Sequence, residues 1–414
     1  MRKLNSSIIA AFIPLCLCGQ TLTYSSFMEA VVRDNLEYMA EKCNIDIATA
    51  NIQAAKVFND PELSINYGNN QDWSVQMGQS VEAGLSINPD FAGVRRARIN
   101  SAMDEEALTE ASVASFLGNL KYEASVAWAE AWRLKQCVSV LEASVEDMTS
   151  IAGSDSLRLA SGDISLADAS QSSLEARTMK GDLLSLRAEY ANALMNLSLM
   201  AGGAAVSGIE DEALPVKYPG RSDDELVCMA VQNRSDLKYA ELSRKLSESN
   251  LKLLKASRSF EMGLNLGYSY NTEVRNEIAP APIYHGLVVG VTVPLKFSAF
   301  NKGEVRAAQA RITQDGKYYD AALARVRIET VQAARAFNAA DEVLKQYDDG
   351  LLRDAVRIAG SRKEGYLKGE NNILELLAAQ AKYREVMQSY IEACACRFIF
   401  FADLERAVGC SLCL

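Results

Sequence analysis

"GVTVPLKFSAFNKGEVRAAQARI", residues 290–312, changes period halfway along. As far as Leu295 the apolar residues alternate, the two-residue period of a strand with one greasy face. From about Gly303 the run is rich in Ala, Arg and Glu, and nothing interrupts this helical composition for about sixty residues. The same passage from strand to helix occurs about two hundred positions earlier, in "GLSINPDFAGVRRARINSAMDEE", residues 84–106. A strand that runs into a very long helix, twice in one chain, points to a duplicated unit.

The eight prolines mark out where those helices are permitted. They fall at 14, 61, 89, 215, 219, 280, 282 and 294, which leaves 125 residues between Pro89 and Pro215 without one and another 120 after Pro294. Proline removes a backbone donor and clashes with the preceding turn, so these two intervals are the ones open to long helices. Both carry a seven-residue apolar beat. In the first it runs through Ile99, Val113, Leu120, Ala127, Leu134, Leu141 and Met148, with Glu106 as the polar interruption. In the second it runs through Val305, Ile312, Tyr319, Val326, Ala333, Ala340 and Tyr347, displaced by 206 residues. A sustained heptad imposes left-handed supercoiling on neighbouring helices, and an ordinary coiled-coil rod fits this feature equally well.

Each interval is broken once, at "LASGDISLAD" and at "YLKGENNILE". Gly162 and Gly369 each follow roughly 66 helical residues and each precede an acid by six positions, Asp168 and Glu375. Glycine adopts the left-handed conformation cheaply and closes helices, so both are expected to be hairpin tips, with arms on the order of 100 Å at 1.5 Å per residue. A second echo, offset by 199, aligns "FMEAVVRDNLEY" (27–38) with "LVCMAVQNRSDL" (226–237) and continues to "SINYG" (64–68) against "GLNLG" (263–267). The expected organisation is a first repeat over 20–208, a linker over 209–222 that overlaps the Gly-rich stretch 201–220, and a second repeat over 223–414. Each repeat reads helix, strand, strand, long helix, tip, helix. The stretch 201–220 lacks the Lys-Ser/Thr ending of a phosphate loop, so no nucleotide role is expected for it.

The strands are expected at about 61–69, 73–88, 261–271 and 285–295. Leu63, Ile65 and Tyr67 share a face, as do Leu264, Leu266, Tyr268 and Tyr270, and Leu287, Val289, Val291, Val293 and Leu295. The opposite faces are Ser, Asn, Gly, Glu and Thr apart from Val288. This alternation suits a half-buried soluble sheet or a membrane barrel. Met1–Gly19 has a basic start (Arg2, Lys3) and an apolar run from Ile8 to Cys18, the pattern of a removed export signal, and strands of about ten residues can cross a tilted bilayer, so the barrel is favoured. A lipid anchor is not expected, because Leu15 and Leu17 stand before Cys16 and Cys18 where a small residue is needed. Four strands cannot close in lipid without unpaired edges, so several chains must each contribute four.

The bulk numbers narrow the function further. The formal net charge is −10, and with Arg2 and Lys3 removed it becomes about −12, which argues against a nucleic-acid partner. Seven cysteines remain beyond the signal (Cys43, Cys137, Cys228, Cys394, Cys396, Cys410, Cys413), an odd number without zinc-like spacing, and neither metal nor cofactor is expected. "CRFIFFA" near the end is short and carries Arg397, so no apolar helix crosses a membrane. The single histidine, His285, has no titratable partner at catalytic spacing, and an enzyme is not expected. Tyr67, Trp73, Phe91, Tyr268, Tyr270, Phe297 and Phe300 could form interfacial girdles, with ordinary packing as the alternative.

The paired segments "DNLEY" and "NRSDL", the entries "INPDFAGVRRARI" and "VPLKFSAFNKGEV", and the tips at Gly162 and Gly369 with their downstream acids, in that order twice over, resemble the TolC-like outer-membrane efflux protein family. The resemblance covers nearly the whole mature chain, and "FAGVRRARI" is similar to the heavy-metal efflux branch. It implies a mixed all-α plus membrane β-barrel fold: a homotrimer whose chains contribute four strands each to a twelve-stranded barrel in outer-membrane lipid, above a long antiparallel coiled-coil α-barrel in the periplasm. Pro89 and Pro294 then stand where sheet passes into helix.

The resemblance further implies a passive duct in a tripartite export system, carrying small molecules (drugs or metal ions) or secreted polypeptide. Its partners are a periplasmic adaptor (membrane fusion) protein and an inner-membrane pump (RND, ABC or similar). The adaptor-docking residues are expected at Gly162, Asp163, Ile164 and Ser165 and at Gly369, Glu370, Asn371 and Asn372, although "SGDIS" and "KGENN" lack the apolar residue that follows the glycine in the family's "VGL" tips. Asp155, Asp168, Glu364 and Glu375, with Asp163 and Glu370, are candidates for acids lining the periplasmic entrance. Solvated helix-terminal charge is the alternative reading of each. An exported structural coiled coil without a pore is the competing function; it explains the heptads but not the alternating strands.

Overall fold

A computed structural model describes residues 20–69, 76–216, 218, 220–297 and 302–412. The expected export signal, Trp73, Phe300 and Cys413 therefore lie outside the described residues. The chain divides into two compact units. One holds the residues up to Met39, Phe116–Arg234 and Val326 onward, and the other holds Ala40–Ser115 and Ser235–Arg325.

In the first unit, β1 (Gln20–Leu22) pairs in parallel with β4 (Val206–Ile209). The helices α1 (Tyr24–Asp34) and α5 (Asp223–Asn233) open the two repeats in the same way. Thr23 and Ser222 each cap the helix start by accepting from the backbone N–H three residues on, and the side chains of Ser26 and Glu225 close the capping box. Each of these helices ends after one buried stripe, at Asn35 and Arg234, where the backbone turns extended. The Asn35 amide donates to Met200 O at 3.0 Å, and its Oδ1 accepts from the Tyr38 N–H at 2.9 Å, so a polar side chain satisfies the break from both sides. The opening helix expected in each repeat is therefore two helices, because Asn and Arg here hold the chain extended.

The rest of this unit comes from the long helices. α3 runs over Val94–Ser161 and α4 over Leu166–Met200; in the second repeat α7 covers Gly303–Gln346, α8 Leu352–Leu367 and α9 Ile373–Val408. The heptad positions Val113, Leu120, Leu134, Leu141, Met148, Val326 and Ala333 are buried. Phe337 and Phe401 pack with Leu226, Leu404 and Val408 in one apolar cluster, and Tyr24, Phe27, Trp128 and Phe398 form an aromatic stack in which Tyr24 meets Phe398 edge-on at 5.2 Å between ring centres.

Two features depart from the expected pattern. The Gly-rich stretch 201–220 contains β4, so it is tied to the start of the first repeat as well as leading into the second. The second long helix is not continuous: Tyr347–Leu351 form a π-helical turn in which Gly350 has φ 124°, outside helical space. Glycine tolerates that angle, so the "DDG" of residues 348–350 breaks the helix sixteen residues before the tip begins to form.

The second unit is built on a four-stranded antiparallel sheet, order β2–β3–β5–β6, with β2 at Glu62–Asn69, β3 at Gln79–Ile87, β5 at Gly263–Asn271 and β6 at Tyr284–Thr292. β3 begins later than expected, since Gln76 and Gly78 take positive φ and turn the chain into it. β6 stops short of Pro294, which cannot donate to a ladder. The register places Leu63 opposite Leu85, Leu85 opposite Leu266, and Leu266 opposite Val289, one apolar row across all four strands. That whole face is uncovered within the chain: Leu63, Leu266 and Val289 are 69%, 51% and 77% exposed.

The helices of this unit are α2 (Leu36–Ala55), α6 (Ser235–Ser257) and the starts of α3 and α7, joined partly by polar contacts. Ser249 donates to the buried Asp104 at 2.5 Å and Lys245 pairs with the same carboxylate at 2.9 Å, while Thr49 donates to Glu106 at 2.6 Å. The polar interruption in the first heptad ladder is thus a hydrogen-bonded contact with α2.

Candidate functional site

The two hairpin ends lie in the first unit and are copies of one design. α3 stops at Ser161, Gly162 takes φ 83°, the Asp163 N–H donates to Arg158 O at 2.8 Å and the Gly162 N–H to Leu159 O at 3.1 Å. α8 stops at Leu367, Gly369 takes φ 78°, the Glu370 N–H donates to Gly365 O at 2.8 Å and the Gly369 N–H to Tyr366 O at 3.0 Å. Both are Schellman closures, in which a left-handed glycine lets the last carbonyls find donors. Three residues after each glycine an N-cap starts the returning helix. Ser165 Oγ accepts from the Asp168 N–H at 3.1 Å, and Asn372 Oδ1 accepts from the Glu375 N–H at 2.8 Å. The acids six positions after each glycine are therefore first-turn residues of α4 and α9, where a carboxylate faces unpaired backbone N–H groups.

Side chains fix the second tip more firmly than the first. Arg362 pairs with Glu375 at 2.7 Å and donates to Asn371 Oδ1 at 3.1 Å. Gly365 is buried beside the same amide, and a Cβ there would collide with Asn371. In the first tip Asp163 accepts from Ser161 at 2.7 Å and Asp168 from Ser165 at 2.7 Å, both local contacts. Of the expected docking residues, Gly162, Asp163, Ser165, Gly369, Glu370 and Asn372 are exposed, whereas Ile164 and Asn371 are half-buried.

One of the expected entrance acids is somewhere else. Asp155 is fully buried, and the Tyr366 hydroxyl donates to its carboxylate from 2.9 Å to both oxygens. Arg158 stands 3.9 Å from Asp155 and lies over the Tyr366 ring at 5.4 Å. Burial, then the neighbouring carboxylate, pushes the Tyr366 phenol well above its ordinary range. Asp155 thus holds the first hairpin to the second instead of facing a duct, because the apolar stripe that carries Met148 and Ile151 also carries residue 155 inward. Asp168 is half-buried, and Glu364 and Glu375 are exposed.

Tyr366, Lys363 and Arg384 carry no local pattern that marks them out. Tyr366 completes the core formed by Leu141, Met148, Ile151, Met179, Leu183, Ile373 and Leu376, drawn from α3, α4, α8 and α9. Lys363 pairs with Asp147 at 2.7 Å and Arg384 with Glu175 at 3.2 Å, so three polar contacts join the hairpins across that core. Among the described residues no group of three or more His, Cys, Asp or Glu is placed to hold a metal ion, and no helix is long and apolar enough to cross a membrane.

A helical hairpin duplicated within one chain, together with an antiparallel four-stranded sheet, is the fold of the TolC-like channels of known structure. Residues 226–409 match the outer membrane efflux protein family. Over 397 residues it is 23% identical to the cobalt-zinc-cadmium resistance protein CzcC of Cupriavidus metallidurans, covering 94% of this chain and 90% of that one. Among solved structures it resembles CusC, described for its folding and transmembrane channel formation, with a TM-score of 0.75 at 14% identity over 94% of this chain and 92% of CusC. It likewise resembles the outer membrane protein VceC of Vibrio cholerae, with a TM-score of 0.73 at 15% identity over 94% and 96%.

Proposed function

We propose that three copies of the chain close a twelve-stranded barrel in the outer membrane and continue it as a helix-walled duct in the periplasm, whose tips at Gly162 and Gly369 dock onto a periplasmic adaptor served by an inner-membrane pump. The observation that carries this reading is the sheet. Its apolar face is bare, and β2 and β6 are edges without a partner among the described residues. In lipid each unpaired backbone group costs several kcal/mol, so the edges must meet those of other copies. A coiled coil without a pore leaves this face unexplained.

For the cargo, the likeness to a cobalt-zinc-cadmium resistance protein over nearly the whole chain supports divalent metal cations, moved outward without chemical change. The chain acts as a conduit and performs no catalysis. Removing it from its native cell should lower the tolerated concentration of cobalt, zinc or cadmium, and restoring it should recover growth. Unchanged tolerance to all three would refute the cargo assignment and leave the channel intact.

A further inference from the structure

The polar face of the sheet carries a charge pattern of its own. Along the four strands this face presents Ser, Asn, Gly, Thr, Tyr284 and Val288, and its side chains charged at neutral pH are Glu62 and Glu82, both carboxylates. Glu62 begins β2. Glu82 is the fourth residue of the nine in β3, at half the height of the sheet, in one row with Asn66, Ser269 and Gly286. It is exposed, and it makes no hydrogen bond or ion pair with any described residue.

Glutamate is a poor strand former, and this one stabilises nothing around it. Gly84, Gly267 and Gly286 lie on its side of the sheet, where the side chains of Ser64, Val288 and Ser269 stand over them. An ionised carboxylate at mid-membrane depth is tolerated only where water reaches it, and here that is the polar face, since the other face is apolar except for Asn69, Gln79 and His285 at one end of the sheet.

We propose that Glu82 sets the cation preference of the sheet-walled part of the channel, by holding one unpaired carboxylate per chain at mid-height of the lumen. The inference rests on the trimeric channel reading above. Twelve strands about 4.8 Å apart and tilted about 40° enclose a lumen of roughly 12 Å radius measured to the backbone. Charge on that wall is felt across the whole section at 0.01 M salt, where the screening length is about 30 Å, and is largely confined to the wall at 0.15 M, where it is about 8 Å. Rings of acids favour cations in pores, and metal cations as cargo suit such a wall.

The test is conduction through the purified full chain in planar bilayers under a potassium chloride gradient. Glu82→Gln should lower the cation-to-anion permeability ratio roughly twofold or more near 0.01 M and much less near 1 M, and Glu82→Lys should invert the preference. Glu82→Ser, matched to Ser80 and Ser86, replaces the Gln variant if that variant does not assemble. A ratio unchanged in all assembled Glu82 variants, or a preference lost entirely in the tip variant Glu370→Gln, overturns the inference while the channel stands. A wild-type chain that inserts but never conducts overturns the channel reading and this inference with it.

Discussion

The hydroxyl of Tyr366 lies 2.9 Å from both carboxylate oxygens of Asp155, two residues 211 positions apart in the chain and both buried. Through this contact the last turn of α8 is fastened to the last turns of α3, just before both hairpins turn. Tyr366→Phe removes the donor and leaves the buried carboxylate to Arg158, 3.9 Å away. Losing a partner of a buried charged acceptor costs about 1–3 kcal/mol, so the variant should melt at lower temperature. Its amide exchange should rise locally in α8 and at the end of α3, with the sheet unaffected. Equal exchange in the two proteins would mean that the contact fastens nothing.

The same contact predicts an alkaline limit. The Tyr366 phenol is raised above its ordinary value of about 10, so the folded state holds a proton that the unfolded chain releases. Stability from this group is complete below about pH 10 and declines as pH rises toward the folded value. Melting temperature followed from pH 9 to 11 should fall more steeply for the wild type than for Tyr366→Phe. Parallel curves would contradict the burial argument.

Asp341 gives the opposite sign. Lys345 at 2.9 Å, and then Arg397 at 2.7 Å, hold its carboxyl below the usual aspartate range. This contribution is present above about pH 4 and disappears as pH falls through the lowered value. Arg397→Met should flatten the acid limb of the stability curve, measured by melting between pH 2 and 5.

Gly202 and Gly203 separate backbone angle from space. Both take positive φ, 73° and 88°, but a Cβ on Gly202 would strike the backbone carbonyl of Asp34, whereas one on Gly203 meets nothing within 4 Å. Gly203→Ala should cost about 1 kcal/mol, the ordinary left-handed penalty. Gly202→Ala should cost several times as much, since α1 and the end of α4 must separate. Equal melting temperatures would contradict this packing.

At the tips, Gly369→Pro removes an N–H that donates to Tyr366 O and forbids the positive φ. Export by cells carrying it should fail, while assembly and membrane insertion persist. Normal export would remove Gly369 from the docking surface.

How much of this was legible follows from the range of each interaction. The alternation in "SINYG" and "GLVVGV", the heptads, and the Gly-to-acid spacing at 162 and 168 and at 369 and 375 are local, and they specify strands, long helices and tips. The Asp155–Tyr366 contact is not local. Nothing around residue 155 distinguishes an acid that faces water from one that meets a tyrosine in the other repeat. The β1–β4 pair escaped notice because three- and four-residue strands carry almost no period. Gly350 lies in a run whose composition is otherwise helical, so only its φ discloses the break.

The most direct measurement of the central claim is the mass of the unheated, detergent-purified protein, by light scattering or native mass spectrometry. Three chains, each close to 45.2 kDa less any removed leader, is the result this account predicts. A single chain that remains dissolved in water without detergent would contradict it, because the bare face and open edges of the sheet would then need no partner.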